Sequence, residues 1–249
     1  MEVGGRRCRV FCAGPRLSVS GNVGDGAGCP LLVQLVSEQQ EEDLEREAEM
    51  IFSGLDQLNT YHLPLNTVFV AVPVRDWELE LMPWAEPAVS KRPEVGTGAG
   101  ETLRYLERGL LARDNGTQAA SLRNTPPVLL GGYSLAGLFA LWAACQTDRF
   151  GAVVAGSPSL WAGDWPGYAA GHAMQARQVY LSLGDREERS RNKTFARVGD
   201  RIREEHRRLQ QQLGEENTTL VWEEGGHFAD PAARMARGFV WCLSLKIRI

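Results

Sequence analysis

The stretch Val128–Cys145 reads VLLGGYSLAGLFALWAAC and constrains the fold more than any other part of the chain. Its apolar length approaches that of a membrane span. Yet the pair Gly131-Gly132 and the polar Ser134 divide it, and no cluster of Lys or Arg flanks it. The expected solution is a short strand, a very tight turn and an apolar helix, in a protein without membrane association. A strand apolar on both faces needs cover on both sides, and so does a helix that is apolar all round. A parallel sheet with helices on its two faces meets both demands.

The rest of the chain alternates in the same sense. Leu31–Val36 (LLVQLV), Thr67–Val72 (TVFVAV), Ala152–Ala155, Val179–Leu183 (VYLSL) and Thr218–Trp222 read as further strands. Residues 6–20 read as one or two short opening strands before a Gly-rich turn at 21–28. Ser37, with Gln40 three places on, is a capping box. It predicts a helix on which Leu44, Ala48, Ile51, Phe52, Leu55 and Leu58 share one face. Leu103, Leu106 and Leu110 mark another helix. A long charged helix should carry Phe195, Val198, Ile202, Leu209 and Leu213 inward, and a last one should lie near Pro231 to Leu245. Residues 73–100, rich in Pro, Gly and Trp, are expected as a long irregular segment of the kind that usually carries function. No repeat or low-complexity tract interrupts the 249 residues, so a single domain over residues 1–249 is expected.

Within Gly132-Tyr133-Ser134-Leu135-Ala136-Gly137, small residues stand two places to either side of Ser134. A nucleophilic serine must be presented at the tip of a sharp strand-to-helix turn, where strand and helix come so close that only small residues fit. The helix N-terminus then aims backbone N–H groups at the place where an oxyanion forms.

Such a serine needs a base, and the chain has four histidines. His206 sits among Glu204, Glu205 and Arg207 and reads as a solvated surface residue; His62 and His172 lie in connecting segments. His227 follows the last strand in Glu223-Glu224-Gly225-Gly226-His227-Phe228, a two-glycine loop. That is the place of the base in the order serine, acid, histidine. The acid belongs after Val179–Leu183, where Gly184-Asp185-Arg186-Glu187-Glu188 offers three carboxylates. Spacing alone does not choose between Asp185 and Glu187. Negative charge at a helix start is also expected from the helix dipole.

Four blocks in this order, GGYSLAGLFALWAA, AGSPSLWA, VYLSLGDREE and EEGGHF, resemble the esterase D-like family of α/β-hydrolases. That family includes siderophore esterases, S-formylglutathione hydrolases and feruloyl esterases. The resemblance runs from about Pro30 to the C-terminal end. It implies an α/β-hydrolase fold and a serine esterase cleaving a carboxylic ester or thioester. Ser134 is then the nucleophile, His227 the base and the Leu135 N–H one oxyanion donor. Glu187, three residues after the glycine that ends the strand, is then the acid. Many members carry His-Gly where this chain has Val36-Ser37-Glu38, and the second donor is expected from backbone near Ser37.

Trp77 and Trp84 are expected to wall an acyl or aryl pocket at the carboxyl edge of the sheet. Trp161 and Trp165, in the segment 157–175, are expected to contribute to a cap over the same cleft.

Composition narrows the partners. A formal net charge of −4 leaves no basic footprint for nucleic acid. The Arg6, Arg7 and Arg9 cluster is not followed by an apolar run long enough for a secretory signal. Cys8, Cys12, Cys29, Cys145 and Cys242 are odd in number and lack C-x-x-C spacing. This argues against a disulfide framework or a structural zinc, and for a reducing, cytoplasmic setting. The sequence contains no phosphate loop, dinucleotide fingerprint or metal-ligand spacing, and a serine hydrolase needs no cofactor and no metal. The expected partner is a small-molecule ester. An acyltransferase, or a binding protein of the same fold without turnover, would use the same residues.

Overall fold

The computed structural model describes residues 2–3, 5–13, 29–58, 67–86, 90–111 and 128–247. The Gly-rich turn expected at 21–28, residues 14–20 of the opening segment and His62 lie outside these. Strands β1 (Glu2–Val3) and β2 (Arg6–Arg7) pair as an antiparallel ribbon. Seven more strands form one sheet: β3 (Arg9–Ala13), β4 (Leu31–Val36), β5 (Thr67–Pro73), β6 (Val128–Tyr133), β7 (Ala152–Gly156), β8 (Gln178–Gly184) and β9 (Thr218–Glu223). Their order is β3-β5-β4-β6-β7-β8-β9. Only β3 runs antiparallel to its neighbour; the other five pairings are parallel. This is an α/β-hydrolase-type fold.

The helices are α1 (Glu38–Glu41), α2 (Leu44–Leu58), α3 (Trp77–Leu81), α4 (Ala99–Tyr105, continued by a π turn at Leu106–Leu110), α5 (Leu135–Gln146), α6 (Trp165–Gly171), α7 (Lys193–Ala196), α8 (Val198–Leu213) and α9 (Pro231–Ile247). Strand side chains alternate between two cores. Val33, Leu35, Val70, Leu130, Val153 and Leu181 pack toward the side of α5, α6 and α8. Leu32, Phe69, Leu129, Val154 and Tyr180 face α2 and α9. Gly131 belongs to this second face: a Cβ there would stand 2.4 Å from the Phe239 ring, so α9 packs directly on the β6 backbone. No helix among the described residues is long and apolar enough to cross a membrane.

Several sequence expectations are corrected. The helix after Ser37 is two helices, with Glu42 and Asp43 between them. Leu44, Ala48, Ile51 and Leu55 are buried, whereas Phe52 is half-buried and Leu58, in the last turn, is exposed. Residues 73–100 are not wholly irregular. Asp76 caps α3 by accepting the Leu79 N–H at 3.0 Å. The charged helix is likewise split, into α7 and α8, and Phe195 lies outside its inner face. It is 42% exposed and packs against Trp161, ring centroids 4.5 Å apart. Trp165 is buried in the core rather than standing over a cleft. His206 is half-buried, and burial lowers its proton affinity; it is not a solvated surface residue.

Candidate active site

β6 delivers the chain to Ser134, and α5 begins at the next residue. Ser134 has φ 59° and ψ −119°, a positive φ that non-glycine residues rarely adopt. The conformation is held from both sides. Ser134 N–H donates to Gly156 O at 2.8 Å, and Gly137 N–H donates to Ser134 O at 3.0 Å. Gly132 is required here, because a Cβ would stand 2.2 Å from Ala136 O. The strained turn lifts the Ser134 hydroxyl clear of the sheet and leaves the Leu135 N–H as the first amide of α5, with no acceptor in the helix register.

His227 stands above this turn. Its Nε2 lies 3.0 Å from Ser134 Oγ and its Nδ1 lies 2.7 Å from Glu187 Oε2. A carboxylate only accepts, so Nδ1 carries the proton and Nε2 is free to accept the serine O–H. Glu187 follows β8 at the start of a single 3₁₀ turn, Glu187–Arg189. Its other oxygen, Oε1, accepts from Gly184 N–H at 2.8 Å and from Ser157 Oγ at 2.7 Å, and lies 3.3 Å from Arg234 Nη1. Burial alone would raise the Glu187 carboxyl. The hydrogen bonds from His227 and Ser157, the histidine charge and the Gly184 amide outweigh it and hold the group below the usual glutamate range. Glu187 is therefore an anion under ordinary conditions.

Sequence reasoning missed the groups behind this chain. Arg234, on α9, is 1% exposed. Its guanidinium also donates to Tyr133 Oη (2.9 Å), Ser157 Oγ (3.2 Å), Glu224 O (3.3 Å) and Gly226 O (3.0 Å). Tyr133 in turn donates to His227 O at 2.6 Å, and burial pushes its phenol up to about 12. One signal was available. Arg234 interrupts an otherwise apolar run, Ala232, Ala233, Met235, Ala236 and Phe239, on a helix face that must be buried. Ser159 was passed over as well; its Oγ lies 3.4 Å from Ser134 Oγ.

The remaining candidates fall in different places. In parallel pairing, Leu35 is level with Gly132, so two further residues along each strand bring Ser37 level with Ser134. The Ser37 N–H, however, donates to Gln40 Oε1 at 3.1 Å, closing the capping box on itself. Asp185 does not meet the histidine ring; its Oδ1 accepts the Gly225 N–H at 2.8 Å. Glu188 pairs with Arg203 at 2.8 Å. Trp77 is half-buried against the α5-side core. Trp84 packs on Tyr168, centroids 5.6 Å apart, and over Gly163. Among the described residues, no group of three His, Cys, Asp or Glu is placed to hold a metal ion.

No protein-family model and no curated protein sequence matches the chain. Solved structures do. The siderophore hydrolase EstA from Aspergillus nidulans is similar at TM-score 0.63 and 18% identity, over 97% of this chain and 95% of that one. An IroE-like serine hydrolase from Shewanella oneidensis is similar at TM-score 0.60 and 17% identity, over 94% and 74%. The enterobactin esterase FES from Shigella flexneri is similar at TM-score 0.59 and 19% identity; 98% of this chain spans 56% of that one. At such identities the likeness is one of fold.

Proposed function

We propose that this protein is a serine esterase that cleaves a carboxylic ester or thioester through an acyl-enzyme. One observation carries the reading: the Ser134 Oγ, His227 and Glu187 line of hydrogen bonds, 3.0 Å and 2.7 Å long, at the tip of a strained strand-to-helix turn. The siderophore hydrolase and the enterobactin esterase among its structural neighbours support it. His227 Nε2 takes the hydroxyl proton as Ser134 Oγ attacks the carbonyl carbon, and the tetrahedral oxyanion receives the Leu135 N–H. Collapse expels the alcohol or thiol, protonated by His227. Water, deprotonated by the same imidazole, then releases the acid and frees the serine. Glu187 holds Nδ1–H in place and balances the imidazolium. Exposed parts of Trp77 and Trp84 would wall the pocket for the acyl or alcohol group.

The second oxyanion donor is assigned to the Ser37 N–H, which becomes available when Gln40 swings aside. While Gln40 Oε1 holds that amide, one of the two donors is occupied. This favours, as a second reading, a protein that binds an ester without turning it over. A fluorophosphonate probe separates the two, with a screen of p-nitrophenyl, aryl, trilactone and thioester substrates alongside. The esterase reading expects a covalent adduct on Ser134, lost in Ser134→Ala together with all hydrolysis while the fold persists. An unlabelled Ser134 with no turnover of any substrate would leave the binding reading standing.

A further inference from the structure

Arg234 is a buried cation whose contacts reach the end of β6 before Ser134 and the loops that carry Glu187 and His227. It bonds the side chain of Tyr133 just before the elbow, Ser157 after β7, Glu187 after β8, and two carbonyls of the loop that ends in His227. Glu187 thus divides its two oxygens between two N–H donors, Oε2 to the imidazole and Oε1 to the guanidinium. We propose that Arg234 is a positioning residue that fixes the proton affinity of the Glu187–His227 pair, keeping the imidazole neutral enough to act as a base. The inference rests on the esterase reading only for its kinetic consequence.

The argument is electrostatic. The imidazole and the carboxylate share one hydrogen bond, so a proton added to either is felt by both. Both protonated microstates add a positive charge beside Arg234, so the guanidinium opposes uptake whichever site receives it. Removing it must raise the pH at which the pair protonates. Among the described residues, the other charged and titratable groups around the pair are few. Asp185 faces Gly225 and Arg186, the Glu224 carboxylate lies 4.0 Å from Arg186, Glu188 is taken by Arg203, and Asp230 by Arg46. Tyr133 stays neutral across the working range. None of these replaces a cation at 3.3 Å from the Glu187 carboxylate.

The test is an NMR titration of the His227 ring in the full chain, wild type against Arg234→Met, Arg234→Gln, Arg234→Lys and Tyr133→Phe. The two neutral variants should move the protonation midpoint up by about one pH unit. Arg234→Lys keeps the charge, and Tyr133→Phe removes a contact without touching it; both should stay within a few tenths of wild type. In esterase assays the acid limb of kcat/KM should move by the same amount. A chain without turnover would overturn the esterase reading and still leave the NMR titration to decide this one. A midpoint unmoved in a folded neutral variant, or moved equally by Arg234→Lys, would show a role in packing alone. So would the failure of both neutral variants to fold.

Discussion

Glu187 and Glu47 are both buried carboxylates beside the α2 and α9 layer, yet they end in opposite protonation states. Glu187 collects an amide, a hydroxyl, an imidazole and a guanidinium, and its carboxyl is held below the usual range. Glu47, on α2, is 2% exposed; among the described residues it receives one donor, Gln34 Nε2 at 3.2 Å, and its Oε1 has no partner. Burial dominates there, and with the Asp43 and Asp230 charges it pushes Glu47 up to about 8, against the Gln34 hydrogen bond and the Arg46 charge. Depth in the protein does not set the charge; the donors do. A buried carboxylate stays ionised only when enough N–H and O–H groups replace the water it has lost. The site can run on an anion at Glu187, and the core carries a neutral acid at Glu47.

The contrast breaks most directly by neutralising each carboxyl in turn. Glu187→Gln keeps the shape and removes the charge that, on the esterase reading, balances the imidazolium. The expected loss in kcat is large, up to ~10⁴-fold, the cost of the equivalent change in a serine protease. Glu47→Gln removes no charge that exists at neutral pH, so kcat should stay within about twofold. Steady-state rates on the best substrate from the screen decide it. Equal losses in the two variants would mean that Glu187 acts on folding rather than on His227.

Stability against pH sharpens the same comparison, with opposite signs. Glu47 has a folded value raised above its unfolded one, so the folded state holds the extra proton. Its contribution is complete below the ordinary glutamate value of 4.5 and is lost as pH rises through about 8. Between those limits the slope is ~1.4 kcal/mol per pH unit. Glu187 has a lowered folded value, so its contribution is complete above the ordinary value and is lost as pH falls through the folded one. Urea melts from pH 3 to 9 should therefore show the Glu47→Gln variant losing the alkaline decline and the Glu187→Gln variant losing part of the acid one. An alkaline decline unchanged in Glu47→Gln would show that Glu47 is ionised in the fold.

What was legible in the sequence follows from the range of the forces involved. The parallel strands were visible because apolar runs such as TVFVAV and VYLSL have one stable setting, buried on both faces. Ser134 was visible because the turn it needs excludes large residues at fixed, local positions. His227 was visible as a histidine placed after the last strand. The carboxylate that meets His227 was not fixed by spacing, because Asp185, Glu187 and Glu188 share one loop and differ only in what other loops bring to them. Only the fold shows Gly184, Ser157 and Arg234 converging on Glu187, and Gly225 on Asp185. Arg234 and Glu47 were missed for the same reason: each makes sense only through partners far away in sequence. Phe195 was misplaced because its spacing fits the apolar face of α8, whereas a break at Arg197 turns it outward onto Trp161.

The smallest effect is expected at Asp185, a third carboxylate, with neither the burial of Glu47 nor the partners of Glu187. Its side chain is 47% exposed, and water can solvate its charge. What it does is local. Asp185 Oδ1 accepts the N–H of Gly225, which has φ +105°, and Asp185 N–H donates to Glu223 O. Together these pin the start of the histidine loop to the start of the acid loop. Asp185→Asn retains an oxygen acceptor for Gly225, so its stability should change by well under 1 kcal/mol, whereas Asp185→Ala loses the bond and should cost about 1 kcal/mol. Neither change alters the charge at Glu187, so kcat should fall by no more than a few fold, through a looser His227 loop. Thermal melts and kcat for both variants separate the two effects. If Asp185→Asn instead lost as much rate as Glu187→Gln, an exposed carboxylate would be serving the imidazole. The acid would then move to Asp185, and the network around Arg234 would be scaffolding for the loop alone.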